Sequence, residues 1–567
     1  MSKTINILAG LTKLYSDKAV ELDKNVQGIL DKYRPLINAP KHHLSQQDII
    51  LITYANSLNK DGQFPLETLN DFLNENLKGI VNTVHILPFF PSSSDDGFSV
   101  SDYYQVNPSF GSWREIKALS ANYRLMFDAV VNHISRRSVW FQEFLKANPD
   151  YEDYFIEVDE NNPDLKHVFR PRALPLVHKY PSSGGGEKSV WTTFSEDQID
   201  LNFSNGKVFL AVLELLLFYI SKGARLIRLD AVGFLWKTLG TACVHLPETH
   251  LIIQIYRQII EVLAPDALLI TETNVPHKDN ISYFGNGHNE AHLVYNFTLP
   301  PLLAFSIISQ SVTKLAKWLS KLELPGEQAC YFNFTASHDG VGLQPLKGIL
   351  TEDEIRILET QVNNNKGYVS YKTNDDGSQS AYELNCTYLD LVTEAVDSKA
   401  LKAKKFLLTQ AVMLSLPGVP GVYIHSLLGT ENDLELAEST GIPRRINRPH
   451  LDADKLMLEL NEKGTLRNNI FSEYKKLLTA RTADPFFDPF LAFEVHTFNE
   501  QLLAIHKRRG EDDFWALFNL SSSTQSVELA GSQALLNIID NTTQDNASIS
   551  LEPYGFYWLK SSKSNVE

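Results

Sequence analysis

Cysteine is scarce. The chain of 567 residues holds three, Cys243, Cys330 and Cys386, far apart and without a C-x-x-C pair. That excludes a disulfide framework and a cysteine-based zinc site, and makes a reduced compartment the natural setting. Long hydrophobic runs are also missing. The longest, Val208 to Ile220, is broken by Glu214 and falls short of the roughly 20 residues of a membrane span, so a buried helix is expected. Positive charge is in deficit, with 52 Lys and Arg against 68 Asp and Glu, for a formal net charge of −16. Such a surface repels nucleic acid and anionic lipid, and a small anion would need local arginines. No small-residue cleavage site follows the N-terminal MSKTINILAGLTKLYSDKAV, which reads as an amphipathic helix. A cytoplasmic protein is expected.

What is present is a series of eight short β-type runs separated by helix-length segments: Ile49–Tyr54, Thr83–Phe90, Leu125–Val131, Leu226–Val232, Leu268–Thr273, Leu293–Phe297, Tyr331–Ala336 and Val419–Ile424. Continuous apolar strands alternating with helices predict a parallel sheet closed as a (β/α)8 TIM barrel. About ninety residues lie between the third and fourth runs, far beyond the usual αβ connection, and their aromatic and proline-rich text predicts an inserted subdomain. Gly184–Gly186 within it reads as a flexible loop, because no following lysine or helix signal completes a phosphate cradle. A second long interval, 344–416, predicts helices and an active-site loop around YKTNDDGSQSAYELN. From Phe487 onward, short alternating strands and turn residues predict a terminal β-sandwich. The expected organisation is 1–133 as N-terminal helix and first part of the barrel, 134–195 as inserted subdomain, 196–484 as the rest of the barrel, and 485–567 as an all-β domain.

In such a barrel the loops after the C-terminal strand ends carry function. Four polar clusters fall there: Asp128-Ala-Val-Val-Asn132-His133, Arg228-Leu-Asp230, Glu272, and His338-Asp339. Three carboxylates and two histidines at one mouth suit glycosidic bond cleavage, in which one carboxylate attacks the anomeric carbon and another protonates the departing oxygen. Asp230 fits the nucleophile, because Arg228 two residues earlier projects to the same side of the strand and favours its ionised form. Glu272, preceded by apolar ALLIT, fits the acid if its surroundings are dry.

DAVVNH, RLD, the glutamate of ITETN and SHD, in that order, resemble the four barrel motifs of the α-amylase family, glycoside hydrolase family thirteen. The resemblance implies Asp230 as nucleophile, Glu272 as general acid/base and Asp339 as the third carboxylate gripping sugar hydroxyls, with His133 and His338 on the sugar at the cleaved position. PFFPSSSDDGFSVSDY, NHIS, IRLDAVGFLWK, ETNVPHKDNISYFGNG and RRINR are most similar to the sucrose-phosphorylase-type subgroup, which releases the glucosyl-enzyme with phosphate instead of water. That pattern implies Asp95 and Phe98 in the glucose pocket and Arg444 on the glucose. FLWKTLGTACVHLPETH and FRPRALP resemble the glucosylglycerate phosphorylases more than the sucrose phosphorylases. The expected partners are therefore a small α-glucoside, inorganic phosphate and a glycerate-like acceptor, with no cofactor. Glucosylglycerol, sucrose or sucrose 6′-phosphate phosphorylase remain open, as do an α-glucosidase and, more distantly, a non-catalytic barrel that binds sugar.

Two anionic substrates require basic partners, for which Arg170, Arg172, Arg136, Arg137 and Arg445 are candidates. No metal is expected. Asp128 and Asn132 stand where some amylases help bind calcium, but no dense Asp/Asn cluster completes the six to eight oxygens required. His288, Glu290 and His292 lie at a loop-to-strand entrance, without the two-turn helical spacing of a zinc motif.

Overall fold

The computed structural model describes residues 6–37, 41–172, 174–373, 378–529, 534–545 and 548–561. Its centre is a closed barrel of eight parallel strands: β1 (Ile50–Thr53), β2 (Thr83–Ile86), β3 (Arg124–Ala129), β4 (Ala224–Leu229), β5 (Leu268–Thr271), β6 (Leu293–Tyr295), β7 (Cys330–Phe334) and β8 (Val419–Tyr423). Each strand falls on one of the eight apolar runs, with β3, β4 and β7 starting one or two residues earlier than expected, and β1 closes the ring by pairing with both β2 and β8. Apart from Arg124 and Arg225, every residue of these strands is buried. A sheet covered by helices outside and filled by its own side chains inside has no polar face to show, which is why the runs read as continuous instead of alternating.

The apolar run Val208 to Ile220 lies in the helix Gly206–Ser221, ten of whose residues are buried. Its one charge, Glu214, pairs with Lys32 on the N-terminal helix Ala19–Tyr33. No helix among the described residues is long and apolar enough to cross a membrane.

Between β3 and β4 the chain leaves the barrel. His133–Ser135 pairs antiparallel with Gln198–Asp200, and a hairpin joins Val177–Pro181 to Glu187–Trp191. Gly185 and Gly186 form the tip of that hairpin with φ of 87° and 84°, a left-handed turn that suits glycine. After β7 a second excursion carries the helix Glu352–Asn364 and a three-stranded sheet of Val341–Gly342, Gln379–Asn385 and Tyr368–Thr373. The middle of the loop YKTNDDGSQSAYELN, residues 374–377, falls outside the described residues.

The C-terminal part is an antiparallel sheet of six strands with a two-stranded companion, Gln525–Val527 and Ile549–Leu551. A core of Leu502, Ala504, Leu517, Val527, Ile549, Leu551 and Leu559 fills the space between them. The other face of the large sheet reaches the barrel through Phe486 on Phe514 and Phe487 on Trp558, with ring centroids 5.4 and 4.7 Å apart.

Candidate active site

The end of β4 organises the barrel mouth. Period-two alternation sends Arg228 and Asp230 to the same side, and Arg228 Nη1 donates to Asp230 Oδ1 at 2.7 Å. The same nitrogen reaches Asp128 Oδ1, whose other oxygen lies 2.6 Å from His85 Nε2. Arg228 Nη2 stands 3.7 Å from Glu272 Oε2, so one guanidinium faces three carboxylates. Immediately after Asp230, Ala231 adopts φ 48° and ψ 33°, and its backbone N–H donates to Glu272 Oε2 at 3.1 Å. A left-handed alanine is strained, and such strain collects where a site dictates the backbone.

The loop after β2 is held in the same way. Asp95 and Asp96 have φ of 53° and 46°, and at Gly97, with φ 110°, a Cβ would lie 2.6 Å from the Pro88 carbonyl oxygen. This turn packs the Phe98 ring flat on His338, centroids 4.9 Å apart and planes within 4°. Asp95 accepts from Gln198 Nε2 at 3.0 Å and from Arg172 Nη2 at 3.3 Å. Across the mouth, Arg444 Nη1 meets Asp339 Oδ1 at 2.8 Å, and its Nη2 meets Glu383 Oε2 at 2.9 Å. Arg448 lies beneath, donating to the His338 carbonyl oxygen at 2.7 Å and to Asp96 Oδ2 at 2.7 Å.

Burial raises every carboxyl at the mouth, and the neighbouring charges drive them apart in acidity. Burial pushes Glu272 up to about 7, with Asp230 and Asp339 adding to the rise and Arg228 opposing it. Burial also raises Asp230, against the pull of Arg228 and His133. Asp339 moves the other way: burial again disfavours its charge, but His338, Arg444, Arg448 and Arg228 outweigh it and hold the carboxyl well below the usual range. Asp95 is held at about 2, where Arg172, Arg444 and Arg448 overcome its burial. Desolvation lowers His133 and takes His338 down to about 3, so both rings are neutral near pH 7. A carboxyl raised to about 7 beside one held well below the usual range gives the mouth a proton donor next to a fixed negative charge.

Asp95, Phe98, His133, Arg172, Arg228, Asp230, Glu272, His338, Asp339 and Arg444 all line one cavity of about 380 Å³, within the range of small-molecule sites. Four of the expected anion-binding arginines do not line it. Arg136 is committed to Glu196 at 2.6 Å and faces Asp197 at 3.7 Å. Arg445 is tied to Asp96 at 2.6 Å, while Arg170 and Arg137 are exposed. Sequence reasoning missed Glu383, Gln198 and Arg448. Arg448 is the last residue of RRINR and was within reach; Glu383 lies in the segment expected to carry an active-site loop, YKTNDDGSQSAYELN, but no motif there singles it out.

Asp128 and Asn132 have their oxygens occupied by protein donors: Asp128 by Arg228 and His85, and Asn132 Oδ1 by Lys237 Nζ at 2.9 Å. The same ammonium is 2.7 Å from Asp200 Oδ2, so a buried lysine supplies the positive charge at this centre. His292 Nδ1 accepts from the Leu269 backbone N–H at 2.9 Å, and Glu290 is engaged by His250 and Gln254 at 2.7 and 2.9 Å.

Residues 75–343 match the family described as Alpha amylase, catalytic domain. The chain is 42% identical over 545 residues to the glucosylglycerate phosphorylase of Escherichia coli K12, covering 96% of this chain and 97% of that protein. This chain belongs to the glucosylglycerate phosphorylase family. A second member, from Spirochaeta thermophila, is 43% identical over 560 residues, 94% of each chain. Among solved structures, the sucrose 6F-phosphate phosphorylase of Thermoanaerobacter thermosaccharolyticum superposes with a TM-score of 0.73 at 26% identity, over 84% of this chain and 94% of that one.

Proposed function

We propose that the protein is a retaining α-glucoside phosphorylase. It reversibly transfers glucose from 2-O-α-glucosylglycerate to phosphate, giving α-glucose 1-phosphate and glycerate. End-to-end identity above 40% with glucosylglycerate phosphorylases is the observation that carries this reading. The site geometry supports its chemistry. Asp230, charged against Arg228, attacks the anomeric carbon while Glu272 gives its proton to the glycerate oxygen. Glu272 then takes the proton of the incoming phosphate, which displaces Asp230 and restores the α configuration. A pKa near 7 suits a group that gives and then takes a proton within one cycle. Double displacement needs carboxyls about 5–5.5 Å apart, and the shared Arg228 supports a close pair.

Asp339 and Arg444 grip the glucose hydroxyls, with Asp95 at the pocket floor and Phe98 and His338 as its wall. Arg172, the expected acceptor-side arginine that lines the cavity, pairs with the glycerate carboxylate. The test is a reverse-direction screen with glucose 1-phosphate as donor and glycerate, glycerol, fructose and fructose 6-phosphate as acceptors. Glycerate should be used best. A preference for fructose or glycerol would move the assignment to a neighbouring phosphorylase.

A further inference from the structure

Far along the chain from the barrel motifs, the C-terminal sheet gathers a second set of donor atoms. Glu494 and His496, two residues apart, project from the same face of the strand Glu494–Thr497, and Glu494 is paired in register with His506 on Leu502–Arg509. Each of the three side chains offers one ligand atom, and those atoms lie within 4.8 Å of one another. We propose that Glu494, His496 and His506 form a Zn2+ site that ties the edge strand Glu494–Thr497 to its neighbour.

Three observations support it. Asp513 Oδ1 lies 2.7 Å from His506 Nε2. An ionised carboxylate only accepts, so Nε2 carries a proton, and Nδ1 is the ring nitrogen that faces Glu494. A carboxylate behind a ligating histidine, fixing its tautomer and ring, is the usual outer support of a zinc site. Secondly, His496 Nε2 is buried without a hydrogen-bond partner, and it points at the same carboxylate oxygen. Thirdly, the two separations to Glu494 fit a metal better than they fit hydrogen bonds. His496 Nε2 and His506 Nδ1 stand 3.4 and 3.6 Å from Glu494 Oε2. A hydrogen bond would draw them to about 2.8–3.0 Å, whereas tetrahedral ligands with bonds of about 2.0–2.1 Å are separated by about 3.3–3.4 Å. Trp515 stacks on His506 at 4.0 Å between centroids and holds the ring in place. The Glu494 side chain is 63% exposed, leaving a fourth position for water. The strand it sits on is one of the two edge strands of the six, where an edge gains from being pinned.

The site can be tested on tag-free, full-length protein stripped with a chelator and titrated calorimetrically with Zn2+, with Co2+ uptake followed by its visible absorption. One Zn2+ per chain and the intense bands of four-coordinate Co2+ are expected. Both should be lost in His496→Ala and in Glu494→Gln, which alter partly exposed side chains and spare buried His506. Asp513→Asn, acting through His506, should weaken zinc binding about 10- to 100-fold, and glucose 1-phosphate release should be unchanged in all three. Absence of stoichiometric zinc in the wild type, or zinc uptake unaltered by both ligand substitutions, would overturn the proposal. Unaltered affinity in Asp513→Asn would remove the orienting role given to that residue.

Discussion

Arg228 Nη1 and Asp230 Oδ1 meet at 2.7 Å on one strand end, both side chains almost wholly out of solvent. A buried carboxylate without such a partner would take up a proton, and the arginine lets Asp230 remain a nucleophile where water cannot solvate it. Asp230→Asn keeps the shape and removes the attacking oxygen. Turnover should fall by about 10⁴-fold or more, the scale on which loss of a covalent nucleophile is felt, with the thermal unfolding midpoint little changed. Retained turnover in a folded variant would place the nucleophile elsewhere.

Glu272 must begin the cycle protonated. Because burial lifts its pKa to about 7, kcat/KM for the glucoside should be level below that pH and decline above it as the acid is lost. Glu272→Gln should be slow at every pH and lack this limb. A wild-type profile flat from pH 6 to 9 would show that another group supplies the proton.

Much of this was legible in the sequence. The barrel strands are apolar on both faces, so their runs stand out without any help from tertiary context, and the strand-end clusters follow directly from them. Arg228 and Asp230 are two residues apart, a local relation that alternation alone predicts. Glu383 is different: it reaches Arg444 across 61 positions, from a hairpin whose strands are only partly buried, and no periodicity marks it. The arginines were hard to rank for a related reason. An arginine paired with a carboxylate on the surface reads the same in sequence as one at a cavity wall; Arg136, Arg445 and Arg172 all have acidic partners, and only the fold shows that Arg172 lines the cavity.

Arg172 contacts Asp95 at 3.3 Å, so Arg172→Ala should weaken every acceptor somewhat by freeing the glucose-pocket aspartate. Glycerate alone also loses a charge-assisted hydrogen bond, of about 1.5–3 kcal/mol. The ratio of glycerate to glycerol use should therefore fall about tenfold or more in synthesis assays, while Arg136→Ala leaves it unchanged. Equal losses on both acceptors would remove Arg172 from the carboxylate site.

Lys237 neutralises Asp200 in a fully enclosed centre. Lys237→Met should cost about 3–5 kcal/mol of stability, the penalty for stranding a buried charge, readable as a lower denaturant midpoint. In the wild type, chelator treatment should leave the phosphorolysis rate unaltered, since a fixed ammonium occupies the place where calcium would bind. A chelator-sensitive rate restored by calcium would contradict this.

The central claim is that phosphate, not water, receives the glucosyl group held on Asp230. Incubation of the purified protein with 2-O-α-glucosylglycerate and inorganic phosphate, followed by phosphorus and proton NMR, tests it most directly. The account predicts α-glucose 1-phosphate and glycerate in equal amounts at a rate that rises with phosphate. Free glucose formed at a rate indifferent to phosphate would contradict it.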